Sequence, residues 1–149
     1  MILKIAAALG IAMSMALPAH AQFAKPEDAI KYRQSALFVM AQNFGRVAAM
    51  ASGKAPYDAK LAAESAEVAA YMSKLPWAGF TPESDLGDTK AKPEIWSNRA
   101  KFDDLGKKVQ AELDKLAVAA KAGNLDAIKP AVGAVGKACK NCHDDFRAK

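Results

Sequence analysis

Seven residues near the C-terminus constrain what this chain can fold into. Leu125, Ile128, Val132, Val135, Cys139, Cys142 and Phe146 are spaced 3, 4, 3, 4, 3 and 4 apart. That is the unbroken a/d seam of a helix with one continuous core-facing stripe. The seam ends in two cysteines, and they belong to Cys139-Lys140-Asn141-Cys142-His143. C-x-x-C-H is the attachment sequence of a c-type haem. On a helix, positions i, i+3 and i+4 share a face and lie about 5–6 Å apart. Two thiols and one imidazole therefore meet one edge and one face of a single ring. Because the thiols sit at core positions, the haem is expected inside the protein, near one end.

Competing uses of this motif are weaker. Two cysteines in an exported chain ordinarily form a disulfide, but the C-x-x-C of a redox enzyme needs a βαβ setting and no strand signal is present. A zinc site needs about four ligands, and three clustered ones do not close it.

Export itself is legible in residues 1–21. Lys4 gives a positive start, Ile5 to Leu17 is apolar, and Ala19-His20-Ala21 has the form of a cleavage site. This is a secretory signal peptide, cut short of a spanning helix by Pro18. Its removal leaves residues 22–149 as one domain, destined for the periplasm, with His143 as the only histidine. Lys4 is its only charged residue, so the net charge falls from +5 to +4. The excess is not clustered, which argues against a nucleic-acid partner. No other apolar run is long enough to span a membrane, so no membrane association is expected once the signal is removed.

Upstream, three more helices are expected. Residues 26–51 form the first, with Pro26 at its first position and Glu27 and Asp28 at the positive end of its dipole. Ile30, Leu37, Phe44 and Ala51 recur every seven residues. Phe38 and Val39 cannot share their face. A helix apolar around most of its girth is buried on more than one side, so a homodimer through the first and second helices is expected. The second helix runs from near Pro56 to about Leu75, with Leu61, Val68 and Leu75 as its stripe. Residues 76–92 lack periodicity and form a long connection, in which Trp77 and Phe80 are expected to wall a haem edge. The third helix spans roughly 94–121, with Phe102, Leu105, Val109, Leu113, Leu116 and Ala120 inward. Gly123-Asn124 is a short turn into the fourth, making the two antiparallel neighbours. Pro130 predicts a kink or an irregular first turn there. Gly133 and Gly136 remove side chains a turn before the motif, where the ring or a close neighbour would need space. The sum is an all-α, antiparallel four-helix bundle with covalent haem c near its C-terminal helix.

His143 supplies one axial ligand, and function turns on the other. No methionine follows the motif; Met40, Met50 and Met72 precede it. Methionine is more often a gap-filler than a ligand, and Met40, one turn from Leu37, is the candidate. At this point the chain resembles the cytochromes c′. The resemblance rests on the C-terminal motif in a secreted helical bundle, on Lys31-Tyr32-Arg33-Gln34-Ser35-Ala36-Leu37, on Leu75-Pro76-Trp77, on Pro93-Glu94-Ile95-Trp96 and on Arg147. It implies thioether bonds from Cys139 and Cys142 and proximal ligation by His143. It implies Leu37 over a vacant distal site, Arg33 and Gln34 near the propionates and haem edge, Asp88 at the haem from the long loop, and Arg147 beside the proximal face. The i+4 spacing from His143 puts Arg147 on that side independently.

A mono-haem protein of this kind is expected to be five-coordinate and high-spin, and to bind neutral diatomics such as NO and CO. Its role is NO binding or detoxification, or electron transfer with an unidentified redox partner. The alternative is a low-spin His/Met carrier of electrons only. With no acid–base residue evident in the pocket, an enzyme is not expected.

Overall fold

The computed structural model of the chain describes residues 22–149. The expected signal peptide lies outside the described residues. Five helices follow: α1 Pro26–Ala51, α2 Ala59–Met72, the short α3 Glu94–Ser97, α4 Arg99–Lys121 and α5 Leu125–Phe146, with a 3-10 turn at Pro76–Gly79. The four long helices form the antiparallel bundle. α1 packs on α2, α2 on α4, α4 on α5, and α5 closes the ring against α1.

Local chemistry sets the ends. Pro26 opens α1, with Glu27 and Asp28 in its first turn. The Asp58 carboxylate caps α2 by accepting from the Leu61 N–H at 3.0 Å. The Asn124 side chain caps α5 by accepting from the Asp126 N–H at 2.9 Å. Gly123 takes φ +71°, the left-handed conformation that glycine adopts without strain, so α4 turns directly into α5.

The stripes of α4 and α5 face inward as their spacing predicts. Phe102, Val109, Leu113, Leu116, Ala120, Ile128, Val135 and Phe146 are all buried. Other expectations are corrected. α2 does not bury Leu61 and Val68, which are exposed. Its buried face is Ala62, Ser65, Ala66, Ala69 and Ala70. Small residues let α2 lie close to α1 and α4, and its larger side chains turn outward. α2 also stops at Met72, earlier than Leu75.

The single third helix is two. Asn98, at φ −128° and ψ 51°, breaks it, and the change of direction lets Ile95 and Trp96 pack on Phe80 and Phe102. Pro130 does not interrupt α5, which runs unbroken through it. The carbonyl it leaves without a donor belongs to Asp126, on an exposed turn that water reaches. Gly133 and Gly136 clear no path for a neighbour, since a Cβ at either would meet nothing within 4 Å.

Candidate functional site

At one end of the bundle the core opens into a cavity of about 620 Å³, walled by α1, α4, α5 and the connection between α2 and α4. That lies within the roughly 300–1,000 Å³ range of cofactor pockets. α5 contributes Val135, Cys139, Cys142, His143 and Phe146, with Arg147 just past its end. The two cysteines are free thiols, half-buried. Burial raises the Cys139 thiol above its ordinary value. Burial, with Cys139 and Asp145 close by, pushes Cys142 up to about 11. Burial and the Arg147 guanidinium pull the His143 imidazole down, against a smaller opposing pull from Asp144. The ring is therefore neutral at neutral pH and keeps a lone pair for a metal.

The end of α5 is tied to the long connection. Arg147 leaves helical geometry, at φ −119° and ψ 128°, and forms an isolated antiparallel bridge with Ala91. The Lys92 N–H donates to the Phe146 carbonyl at 3.0 Å, and the Ala148 N–H to the Lys90 carbonyl at 2.9 Å. Arg147 thus stands at the cavity wall.

Across the cavity, α1 presents Leu37, Phe38, Met40, Ala41 and Phe44, with Arg33 and Gln34 a turn earlier. Arg33 is only 2% exposed, yet among the described residues no carboxylate pairs with it. Its guanidinium donates to the Gly79 carbonyl at 2.7 Å, to Ser84 Oγ at 2.6 Å, to the Ser84 carbonyl at 2.8 Å and to Thr89 Oγ1 at 2.9 Å. It also lies over the Phe80 ring, 4.6 Å from its centroid. Burial lowers its pKa below the ordinary value. Arg33 therefore fastens the connection to α1. Gln34 does the same more weakly, donating from Nε2 to the Asp88 carbonyl at 2.8 Å. Asp88 itself does not line the cavity; it reaches the site only through that carbonyl, with its side chain exposed.

Trp77 and Phe80 both line the cavity. They belong to an aromatic cluster in which Phe80 meets Phe102 at 4.7 Å and Phe102 meets Phe146 at 5.4 Å between centroids. The Trp77 N–H donates to the Ser73 carbonyl at 2.6 Å. Apart from Asp88, the site residues expected from sequence are thus brought to one cavity. Ser84 and Thr89 were not anticipated, because a polar residue in an aperiodic loop carries no signal of what it will bind. Gly79 had a signal only in being a glycine. A Cβ there would lie 2.6 Å from the Ala29 carbonyl oxygen and 2.9 Å from Arg33 Cβ, so only glycine lets the connection press on α1.

Among the described residues, no group of three or more His, Cys, Asp or Glu side chains could hold a bare metal ion. The donor set is two free thiols and one neutral imidazole facing an apolar cavity. It suits an iron whose remaining ligands come with its own macrocycle. Bundle and site together define a helical c-type haem protein.

The comparisons with known proteins give the family. The family model described as Cytochrome C' matches residues 28–147. The chain is 54% identical to the cytochrome c′ of Rubrivivax gelatinosus over 86% of its length and all of that protein's. It is 51% identical to that of Alcaligenes xylosoxydans xylosoxydans over 86% of its length and 99% of the relative's. The crystal structure of the Rubrivivax gelatinosus protein superimposes with a TM-score of 0.82 at 53% identity, covering 85% of this chain and 100% of that one. A nitric oxide complex of a leucine-to-alanine variant of the Alcaligenes xylosoxidans protein superimposes with a TM-score of 0.80 at 48% identity, covering 86% of this chain and 99% of that one. The chain belongs to the cytochrome c′ family, whose cofactor is covalently attached haem c.

Proposed function

We propose that this cytochrome holds its haem iron five-coordinate and high-spin, and binds small neutral gases, NO and CO, in the periplasm. The haem supplies an open coordination position and a one-electron couple. The observation that carries the reading is the apolar α1 wall, where Leu37 stands with Phe38, Ala41 and Phe44 on the cavity. Leu37, Phe38, Ala41 and Phe44 supply neither a ligand nor a hydrogen bond to stabilise bound O₂, and apolar surroundings disfavour charged anions. Trp77 lines the same cavity, but its N–H is committed to the Ser73 carbonyl. Neutral diatomics lose little in such surroundings. A relative's nitric oxide complex supports the choice of ligand.

Absorption and EPR spectra of the purified ferric and ferrous protein, with and without NO, test this. High-spin spectra and NO uptake are expected; a six-coordinate resting iron sinks it. The second reading, a low-spin electron carrier, has one observation in its favour: Met40 also lines the cavity. Its thioether is the one alternative soft ligand α1 offers there. In that case the reduced protein gives a sharp α-band, which Met40→Leu abolishes. Neither reading makes the protein an enzyme. Gln34 is proposed to lie at the haem's propionate edge, with Arg33 behind it holding the connection, and Arg147 beside the proximal face.

The protein is further proposed to act as a homodimer through α1 and α2. Phe38 (63% exposed), Val39, Leu61, Val68 and Tyr71 are large apolar or aromatic side chains left outside on these two helices. Such surfaces are commonly covered by a partner. Export to the periplasm follows from the signal peptide proposed for residues 1–21. No helix among the described residues is long and apolar enough to cross a membrane. Haem in the periplasmic fraction, with the mature chain beginning at Gln22, is the expected outcome.

A further inference from the structure

Gly106 lies in the middle of α4, where glycine weakens a helix by about 1 kcal/mol relative to alanine. It is buried. Nothing in helix geometry explains it, since its φ is not positive. Its surroundings do. A Cβ at 106 would stand 2.6 Å from Trp77 Cη2, 2.7 Å from Cζ3 and 3.1 Å from Cζ2. The benzo edge of the indole therefore rests on the bare α4 backbone.

The same indole is held on its other sides. Its N–H is fixed to the Ser73 carbonyl at 2.6 Å. One flank meets Phe102, 5.4 Å between centroids, and another meets Phe80, 6.3 Å. Trp77 is a lining residue of the haem cavity. Ser73, Phe80, Phe102 and α4 close the remaining directions, so an indole displaced from Gly106 has the cavity as its free space.

We infer that Gly106 is a positioning residue for the haem. By carrying no side chain it lets Trp77 sink into α4, and so sets how far the indole wall stands from the macrocycle. Any side chain at 106 drives the indole into volume the haem needs. Gly106 touches neither haem nor ligand and acts only through Trp77. The inference does not depend on whether the iron is five- or six-coordinate.

The test uses the haem-loaded protein and three variants: Gly106→Ala, Trp77→Phe, and the two together. Gly133→Ala serves as a control, because that position is also a helical glycine but its Cβ meets nothing within 4 Å. Gly106→Ala is expected to lower the recovery of haem-bearing protein by on the order of tenfold, the size of effect that overpacking a filled core produces. Its Soret and near-UV circular dichroism should change shape, since both report aromatic rings against the haem. Gly133→Ala should match the parent in both. Trp77→Phe removes the benzo edge, so the double variant should recover the haem-bearing protein that Gly106→Ala loses. If Gly106→Ala gives no folded protein at all, rescue by Trp77→Phe decides in the same way. A double variant no better than Gly106→Ala would place the defect in the helix backbone and overturn the inference. So would a Gly106→Ala protein with parental recovery and dichroism.

Discussion

In the α4–α5 hairpin the large apolar residues point inward. Leu113, Leu116 and Val135 are fully buried and Ile128 nearly so. The outside is laced with ion pairs, among them Arg99–Asp103, Lys108–Asp104 and Lys140–Asp144 at i,i+4 spacing, and Lys101–Asp145 between the helices. In the α1–α2 hairpin the order is reversed along α2. Alanines fill the buried face, Leu61, Val68 and Tyr71 stand outside, and Lys60–Glu64 is the ion pair on that helix, with both side chains mostly exposed. One hairpin is finished by water; the other keeps apolar surface in reserve. Stability of the bundle should therefore be concentrated in α4–α5, and assembly in α1–α2.

The sharpest way to break that contrast is to truncate one leucine on each side. Leu116→Ala removes a fully buried side chain that does not line the haem cavity, and should cost about 2–5 kcal/mol. Leu61→Ala removes a side chain that is 42% exposed, and should cost the isolated subunit less than about 0.5 kcal/mol. Denaturant unfolding of both proteins, at concentrations low enough to give subunits, measures the difference. Equal losses would show that Leu61 contributes to the packing of the subunit as a core residue does.

The connection between the two hairpins is fastened to α1 at the haem end by a third device, the Arg33 clamp. Arg33→Leu leaves the buried Gly79 and Ser84 carbonyls and the Ser84 hydroxyl without their charged donor. Each abandoned buried acceptor costs about 1–3 kcal/mol. The Ser84 hydroxyl still lies within donating reach of the Gly79 and Thr81 carbonyls, so the Gly79 carbonyl keeps one donor and a total of about 3 kcal/mol is expected. The loss should be local before it is global. Amide exchange should accelerate first across residues 79–92, while α4 and α5 stay protected. Uniform acceleration throughout the chain would mean that the connection is part of the bundle's cooperative core.

These regions also differ in how far they could be read beforehand. The α4 and α5 seams were legible because large apolar residues recur at helical spacing and end in a motif with fixed geometry. The cavity residues on α5 followed from its seam and motif, and those on α1 from the family resemblance. α2 was misread because alanine carries little hydropathic contrast. Leu61 and Val68 are also seven apart, so the larger residues drew the stripe to the wrong face. The partners of Arg33 were not legible, because hydrogen bonds to Gly79, Ser84 and Thr89 depend on where an aperiodic loop settles. Gly106 carries no sequence signal of its role, because its reason lies in Trp77, a residue 29 positions away that only the fold brings against it.

Assembly offers a smaller free-energy effect but a clear readout. Leu61→Asp with Val68→Asp places two charges on the outer face of α2. Neither side chain is buried, so the subunit should remain folded with an unchanged haem spectrum. A dimer built on this face would have to desolvate both charges, and sedimentation at micromolar concentration should show monomers. A variant that stays dimeric would move the interface off α1–α2.

The smallest expected effect defines the edge of the contrast. Val118, on α4, is 72% exposed, more than Leu61 or Val68. Exposure alone would make it the better candidate for a partner surface. Its neighbours one turn away argue otherwise: Lys115 and Asp114 are exposed, and each is paired, with Glu112 and Lys74 respectively. A lone apolar side chain among solvated charges needs no partner. Val118→Asp should therefore leave both the subunit's stability, within about 0.5 kcal/mol, and its association state unchanged. Dissociation on this substitution would mean that α4 takes part in assembly, and that the division between a hairpin finished by water and one finished by a second subunit is wrong.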